Sequence, residues 1–169
     1  SFTITNFLGN LTNSATGTVA VTLDDDASGA AVDTTITNEA DSGTFTVNNG
    51  AFADADTINL AGDGAITVNG LVADLDASTS TGAITVNAVA DVNITTGSAA
   101  TSISETTGFT ATVNAEALAD GTLLTTISGA GFDIDDESCI FTFNSGETPA
   151  TILSHLKITG GVATKYSGA

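Results

Sequence analysis

The sequence predicts an all-β chain, built largely as a parallel, β-helix-like β-solenoid with a short C-terminal helix as a cap. Three observations carry that prediction. Four segments read almost alike: Gly43-Thr-Phe-Thr-Val-Asn48, Gly64-Ala-Ile-Thr-Val-Asn69, Gly82-Ala-Ile-Thr-Val-Asn87 and, one residue longer, Gly108-Phe-Thr-Ala-Thr-Val-Asn114. Their closing asparagines are 21, 18 and 27 residues apart. Periods near twenty residues mark repeat folds, in which each coil buries its apolar face by stacking on its neighbours. The composition agrees, because β-branched residues favour strands while Gly, Asn and Asp favour turns. An antiparallel β-sandwich of short strands shares this composition and is the alternative fold.

Residues 1–42 repeat least cleanly. Segments 2–5, 18–23 and 34–37 alternate like strands of an N-terminal β cap or small sheet. Residues 43–136 hold the solenoid repeats. A second strand-like segment follows each copy, at 56–60, 71–75, 91–95 and 122–127. Strand alternation puts Phe45, Ile66 and Ile84 inside with Val47, Val68, Val86 and Val113, and sets Ala111 opposite the large residues. Thr46, Thr67, Thr85 and Thr112 then form an outward column. Asn48, Asn69, Asn87 and Asn114 close the strands, either as a hydrogen-bonded ladder or as turn formers. Residues 137–169 supply a last strand and the capping helix. Thr148 before Pro149 is a helix start. Ile152, Leu153 and Leu156 share its apolar face, and Gly160-Gly161 ends it.

Charge narrows the partners. The chain of 169 residues has 20 acids against two basic residues, a net charge of −18. Nucleic acid is excluded, since phosphate binding needs Lys and Arg, and anionic membrane surfaces are disfavoured. No apolar run reaches the roughly 18 residues of a membrane-spanning segment, so no membrane insertion is expected. Cys139 is the one cysteine, which rules out a disulfide within the chain; beside Ile140 and Phe141 it reads as a small core residue. The chain starts at Ser1 and shows no signal peptide, as expected for a processed form or a piece of something larger. Type I secretion, read from the C-terminus, would leave no N-terminal mark.

Acidic loops are the candidate metal sites. Asp24, Asp26 and Ser28 precede Gly29 in a D-x-D-x-S-G pattern, with Asp33 beyond. Alternating carboxylates supply hard oxygen ligands for Ca2+, and the glycine permits the sharp turn. The pattern then departs, because the acid closing such a loop falls on Thr35. Residues at i and i+2 of a strand share a face, so Asp54 with Asp56 and Asp74 with Asp76 are further pairs. Asp133, Asp135 and Asp136 lie in a segment, Ser128-Gly-Ala-Gly-Phe-Asp-Ile-Asp-Asp136, that resembles the calcium nonapeptide of RTX proteins. It departs at Ser128 and at Asp135.

The Ile-Thr-Val-Asn repeats, the stretch Ala115-Glu-Ala-Leu-Ala-Asp-Gly-Thr-Leu-Leu-Thr and the near absence of Lys and Arg resemble the strand repeats of secreted RTX-type adhesins and bacterial surface-layer proteins. The likeness is compositional and covers roughly residues 43–136. It implies an extracellular, calcium-stabilised structural role.

An enzyme is not expected. His155 is the lone histidine and stands on the expected helix. A polysaccharide lyase typically needs basic groups, of which this chain has two lysines near its end and no arginine, and carboxylate pairs of glycosidase spacing arise too easily among 20 acids to be informative. A grid of threonines could also bind ice, though only one threonine column can be drawn. The expected function is an extracellular structural protein that assembles with copies of itself into a surface layer or filament. The alternatives are an adhesin or phage-fibre binding module for a surface polysaccharide, and a carbohydrate-active enzyme. Asn10-Leu-Thr12 and Asn93-Ile-Thr95 are glycosylation sequons.

Overall fold

The computed structural model describes residues 1–24, 33–39, 43–49, 56–106, 111–115, 117–119, 122, 124–128, 139–142 and 156–159. These form fifteen strands. Eight make one sheet: β1 (Phe2–Phe7), β3 (Val19–Leu23), β5 (Phe45–Asn48), β7 (Ile66–Leu71), β9 (Ile84–Ala88), β11 (Thr101–Glu105), β13 (Leu124–Ser128) and β15 (Leu156–Thr159). Seven make the other: β2 (Leu11–Asn13), β4 (Thr34–Asn38), β6 (Thr57–Gly62), β8 (Asp74–Ser80), β10 (Val92–Thr95), β12 (Ala111–Asn114) and β14 (Cys139–Thr142). The chain alternates between the sheets at every strand. Each strand pairs in parallel with the one two places on. This is the two-strand coil of a β-solenoid, and the uniformly parallel pairing rules out the antiparallel sandwich.

Alternation along the strands explains the core. In the eight-stranded sheet Val19, Phe45, Ile66, Ile84 and Thr101 stand beside one another, as do Val21, Val47, Val68, Val86 and Ile103. The facing sheet stacks Ile58, Leu75, Ile94 and Val113. From Phe45 onward the apolar members of these columns are fully or almost fully buried. Like side chains thus pile on like, and each coil buries its neighbour's apolar face.

The corners require glycine. A methyl built on Gly43 would fall on the carbonyl oxygen of Gly17, and one on Gly82 would fall on that of Gly64. Each glycine heads a strand-turn unit and lies against the glycine of the coil before it. That explains the glycine at the head of the repeats that begin at Gly43 and Gly82. Two buried hydroxyls, those of Thr34 and Thr96, find no hydrogen-bond partner among the described residues. Replacing Thr34 by its near-isostere valine is expected to stabilise the fold by about 1 kcal/mol, because an unpaired buried hydroxyl carries a desolvation cost. Chemical denaturation would check it, and a destabilised Thr34→Val variant would mean that the hydroxyl has a partner.

Three expectations change. The helix read at the C-terminus is not seen among the described residues. Leu156–Thr159, its expected end, is strand β15 and pairs with β13; the rest of it, His155 included, lies outside the described residues. The fourth repeat does not continue the first three. β5, β7 and β9 lie in one sheet and β12 in the other, where Thr112 stands beside Asn93 rather than Thr85. The cause is β11, a strand the repeat pattern does not show, which fills half a coil and makes the 27-residue spacing one and a half coils. Segment 71–75 straddles a corner, ending β7 and opening β8. Residues 1–42 supply β1 to β4, the first strands of the same two sheets.

Candidate functional site

The expected calcium ligands fall unevenly on the structure. Asp24 directly follows β3 and its amide donates to the Phe7 carbonyl at 2.9 Å. Asp33 directly precedes β4 and is exposed. The two therefore flank residues 25–32, which lie outside the described residues. Asp26, Ser28, Asp133, Asp135 and Asp136 lie outside the described residues. Among the described residues, no three His, Cys, Asp or Glu side chains are grouped to hold a metal ion.

The pair Asp74 and Asp76 does share the outward face of β8, as alternation requires. Their carboxylates are drawn into the protein's own hydrogen bonds. Asp74 Oδ1 accepts from the Asn93 amide at 2.8 Å and from Asn93 Nδ2 at 3.1 Å, and its Oδ2 accepts from the same Nδ2 at 3.0 Å. Asp76 Oδ1 accepts from the Ser78 amide at 2.9 Å, closing a local turn. Asp74 thus binds β8 to β10 through Asn93, the asparagine of the second sequon. Beside it an open depression of about 310 Å3 is lined by Asp91, Val92, Asn93 and Thr112. Asp56 is buried, at 2 % exposure, on the strand-entry side of β6.

On the eight-stranded sheet the outward positions form two columns. One runs Thr46, Thr67, Thr85 and Ser102. The other begins with Thr22, Asn48 and Asn69, where Asn69 Nδ2 donates to Asn48 Oδ1 at 3.3 Å. After Val68 the register shifts, so that Leu71 rather than Asn69 sets the next pairing, beside Ala88. The ladder resumes where Asn87 Nδ2 donates to Ser104 Oγ at 3.2 Å. Stacked asparagines are therefore a ladder in part, with serine as a member that the repeat motif does not include. Asn114 is on the other sheet.

A second asparagine pair, not foreseen from the repeats, is better sheltered. Asn13 and Asn38 stand in register on β2 and β4. Asn13 Nδ2 donates to Asn38 Oδ1 at 2.8 Å, and Asn38 Nδ2 donates to the Ala65 carbonyl at 2.9 Å. Asn38 is fully buried. Asn38 closes the strand-like segment at 34–37, whereas β2, which holds Asn13, is a strand that the repeat pattern does not show. Asn10, of the first sequon, is exposed and accepts from the Thr35 amide at 3.1 Å.

The class of protein defined by this geometry is a two-sheet, parallel β-solenoid. Comparison with protein-family models, with curated proteins and with solved structures found no match to the chain. No helix among the described residues is long and apolar enough to cross a membrane.

Proposed function

We propose that the chain is an extracellular structural protein that assembles with copies of itself into a surface layer or filament, stabilised by Ca2+. The observation that carries this reading is the stack itself. Its end strands β1 and β2 are the edges of two parallel sheets, and an edge offers a row of backbone N–H and C=O groups to a further strand. Apolar side chains are exposed at that end, Phe2 at 63 % and Leu8 at 40 %. A further coil placed there would cover them and continue both sheets, which is how a solenoid propagates. Calcium has a place in the proposal because a net charge of −18 opposes association of copies. Cations held by the acidic segments, Asp24 and Asp33 among their ligands, offset that repulsion.

The test is negative-stain electron microscopy of the purified chain in millimolar calcium and again after EDTA. Ordered filaments or sheets that dissolve on chelation are the expected result. Assemblies that ignore EDTA would keep the structural role and remove the metal from it. Monodisperse particles in both conditions would overturn the reading.

A further inference from the structure

We infer that the outward face of the eight-stranded sheet is the surface on which two copies of this chain pair laterally, an inference that rests on the self-assembly reading. Charge placement is the first argument. The chain has 20 acids, yet the strands of this sheet hold one, Glu105, at the last position of β11 beside Ala88. The other described acids lie outside the strands of this sheet, Asp74 and Asp76 among them on the outward face of β8 in the other sheet. For a chain this acidic, most surfaces repel a second copy. Like charges set against each other across an interface cost several kcal/mol. Strands so poor in acids, with Lys157 of β15 as their one basic residue, let two copies meet without that cost.

Shape is the second argument. Rows on this face repeat at the strand spacing of about 4.8 Å, and its two columns stand two residues apart along the strand, about 6.6 Å. Thr46, Thr67 and Thr85 make one column and Asn48 with Asn69 make the other, with a groove between. A copy of the same chain has the same row spacing, so the continuous column from Thr46 to Ser102 can enter such a groove in register. Ladders of identical short side chains interdigitate in this way between paired sheets. The bond from Asn69 to Asn48 already holds those amides in place, which lowers the ordering cost of pairing. Parallel sheets are, besides, ordinarily covered on both faces, and in this fold the core covers one.

The test is sedimentation equilibrium of the intact chain and of two double variants that add equal charge. Thr67→Asp with Thr85→Asp places carboxylates on the proposed contact; Thr37→Asp with Thr79→Asp places them on the other sheet, away from its edge strand β2. The expected result is reversible association of the wild type, weakened at least about a hundredfold by T67D/T85D and little changed by T37D/T79D. Circular dichroism confirms the fold of each, and should the first double variant unfold, Thr85→Asp alone, at an exposed position, serves in its place. Association undiminished by T67D/T85D would overturn this surface while leaving self-assembly standing, and equal weakening by both pairs would do the same by assigning the effect to net charge. A wild type that stays monomeric at every concentration would instead overturn the self-assembly reading itself.

Discussion

Replacing Gly82 by alanine is expected to destabilise the fold by roughly 3 kcal/mol or more, at the upper end of overpacking costs. The added methyl would meet the Gly64 carbonyl oxygen and, close behind it, the Gly64 carbonyl carbon and the Asp63 carbonyl oxygen. All three are backbone atoms. A side chain can swing aside, but these belong to a coil already tied to its neighbours, with Gly82 N donating to the Gly62 carbonyl at 3.2 Å and Ile66 N to the Ala83 carbonyl at 3.0 Å. Relief therefore requires two coils to part, which weakens the contact that stabilises both. The comparison is Gly70→Ala. Gly70 has a φ of 65° with open space around its missing side chain, so only the left-handed backbone is penalised, by about 1–2 kcal/mol. Thermal unfolding of the two variants separates the causes. Equal losses would show that the close approach of the corners is not decisive.

Truncating Phe45 to alanine is expected to cost about 3–5 kcal/mol. Phe45 is the largest fully buried side chain described, at 0 % exposure, and it stands between Val19 and Ile66 in its column. Collapse around the cavity is opposed by the ladder, which holds the flanking strands about 4.8 Å apart on either side. Phe45→Ile is the informative companion, because isoleucine is what this column holds at positions 66 and 84. Its loss should stay below about 1.5 kcal/mol if the column accepts that shape. Denaturant titration gives both values, and an isoleucine variant as damaged as the alanine variant would contradict the account of interchangeable coils.

Much of this architecture was legible because its physics is local. Alternation in Phe45-Thr-Val and Ile66-Thr-Val assigns inside and outside without knowledge of partners, and burial follows it at every described inward position of those strands. The leading glycines were visible as well, though only stacking shows that the preceding coil's carbonyl requires Gly43 and Gly82. Strand β11 was not legible. In Thr-Ser-Ile-Ser-Glu a single large apolar residue, Ile103, points inward, and Thr101 occupies the place held by Ile84 in the coil before. One apolar residue has no period. Once β11 is counted, Thr112 leaves the threonine column and Ser102 enters it, which changes the candidate surface itself.

The candidate metal sites show the same division. Spacing identified Asp74 and Asp76 as a pair on one face, and they are one. That Asp74 is engaged by Asn93, 19 residues on, depends on which strand lies next door. Likewise, 152, 153 and 156 have helical spacing, yet Leu156-Lys-Ile-Thr159 joins the edge of β13. What the sequence by itself determined is the strand unit: its alternation, its turn residues, its excess of negative charge and its approximate period, all of them properties of neighbours along the chain. What only the tertiary structure decided is which coil each unit stacks on and which sheet it joins. Backbone pairing between residues 16 to 32 positions apart sets that register, and it is indifferent to the side chains that make a motif recognisable.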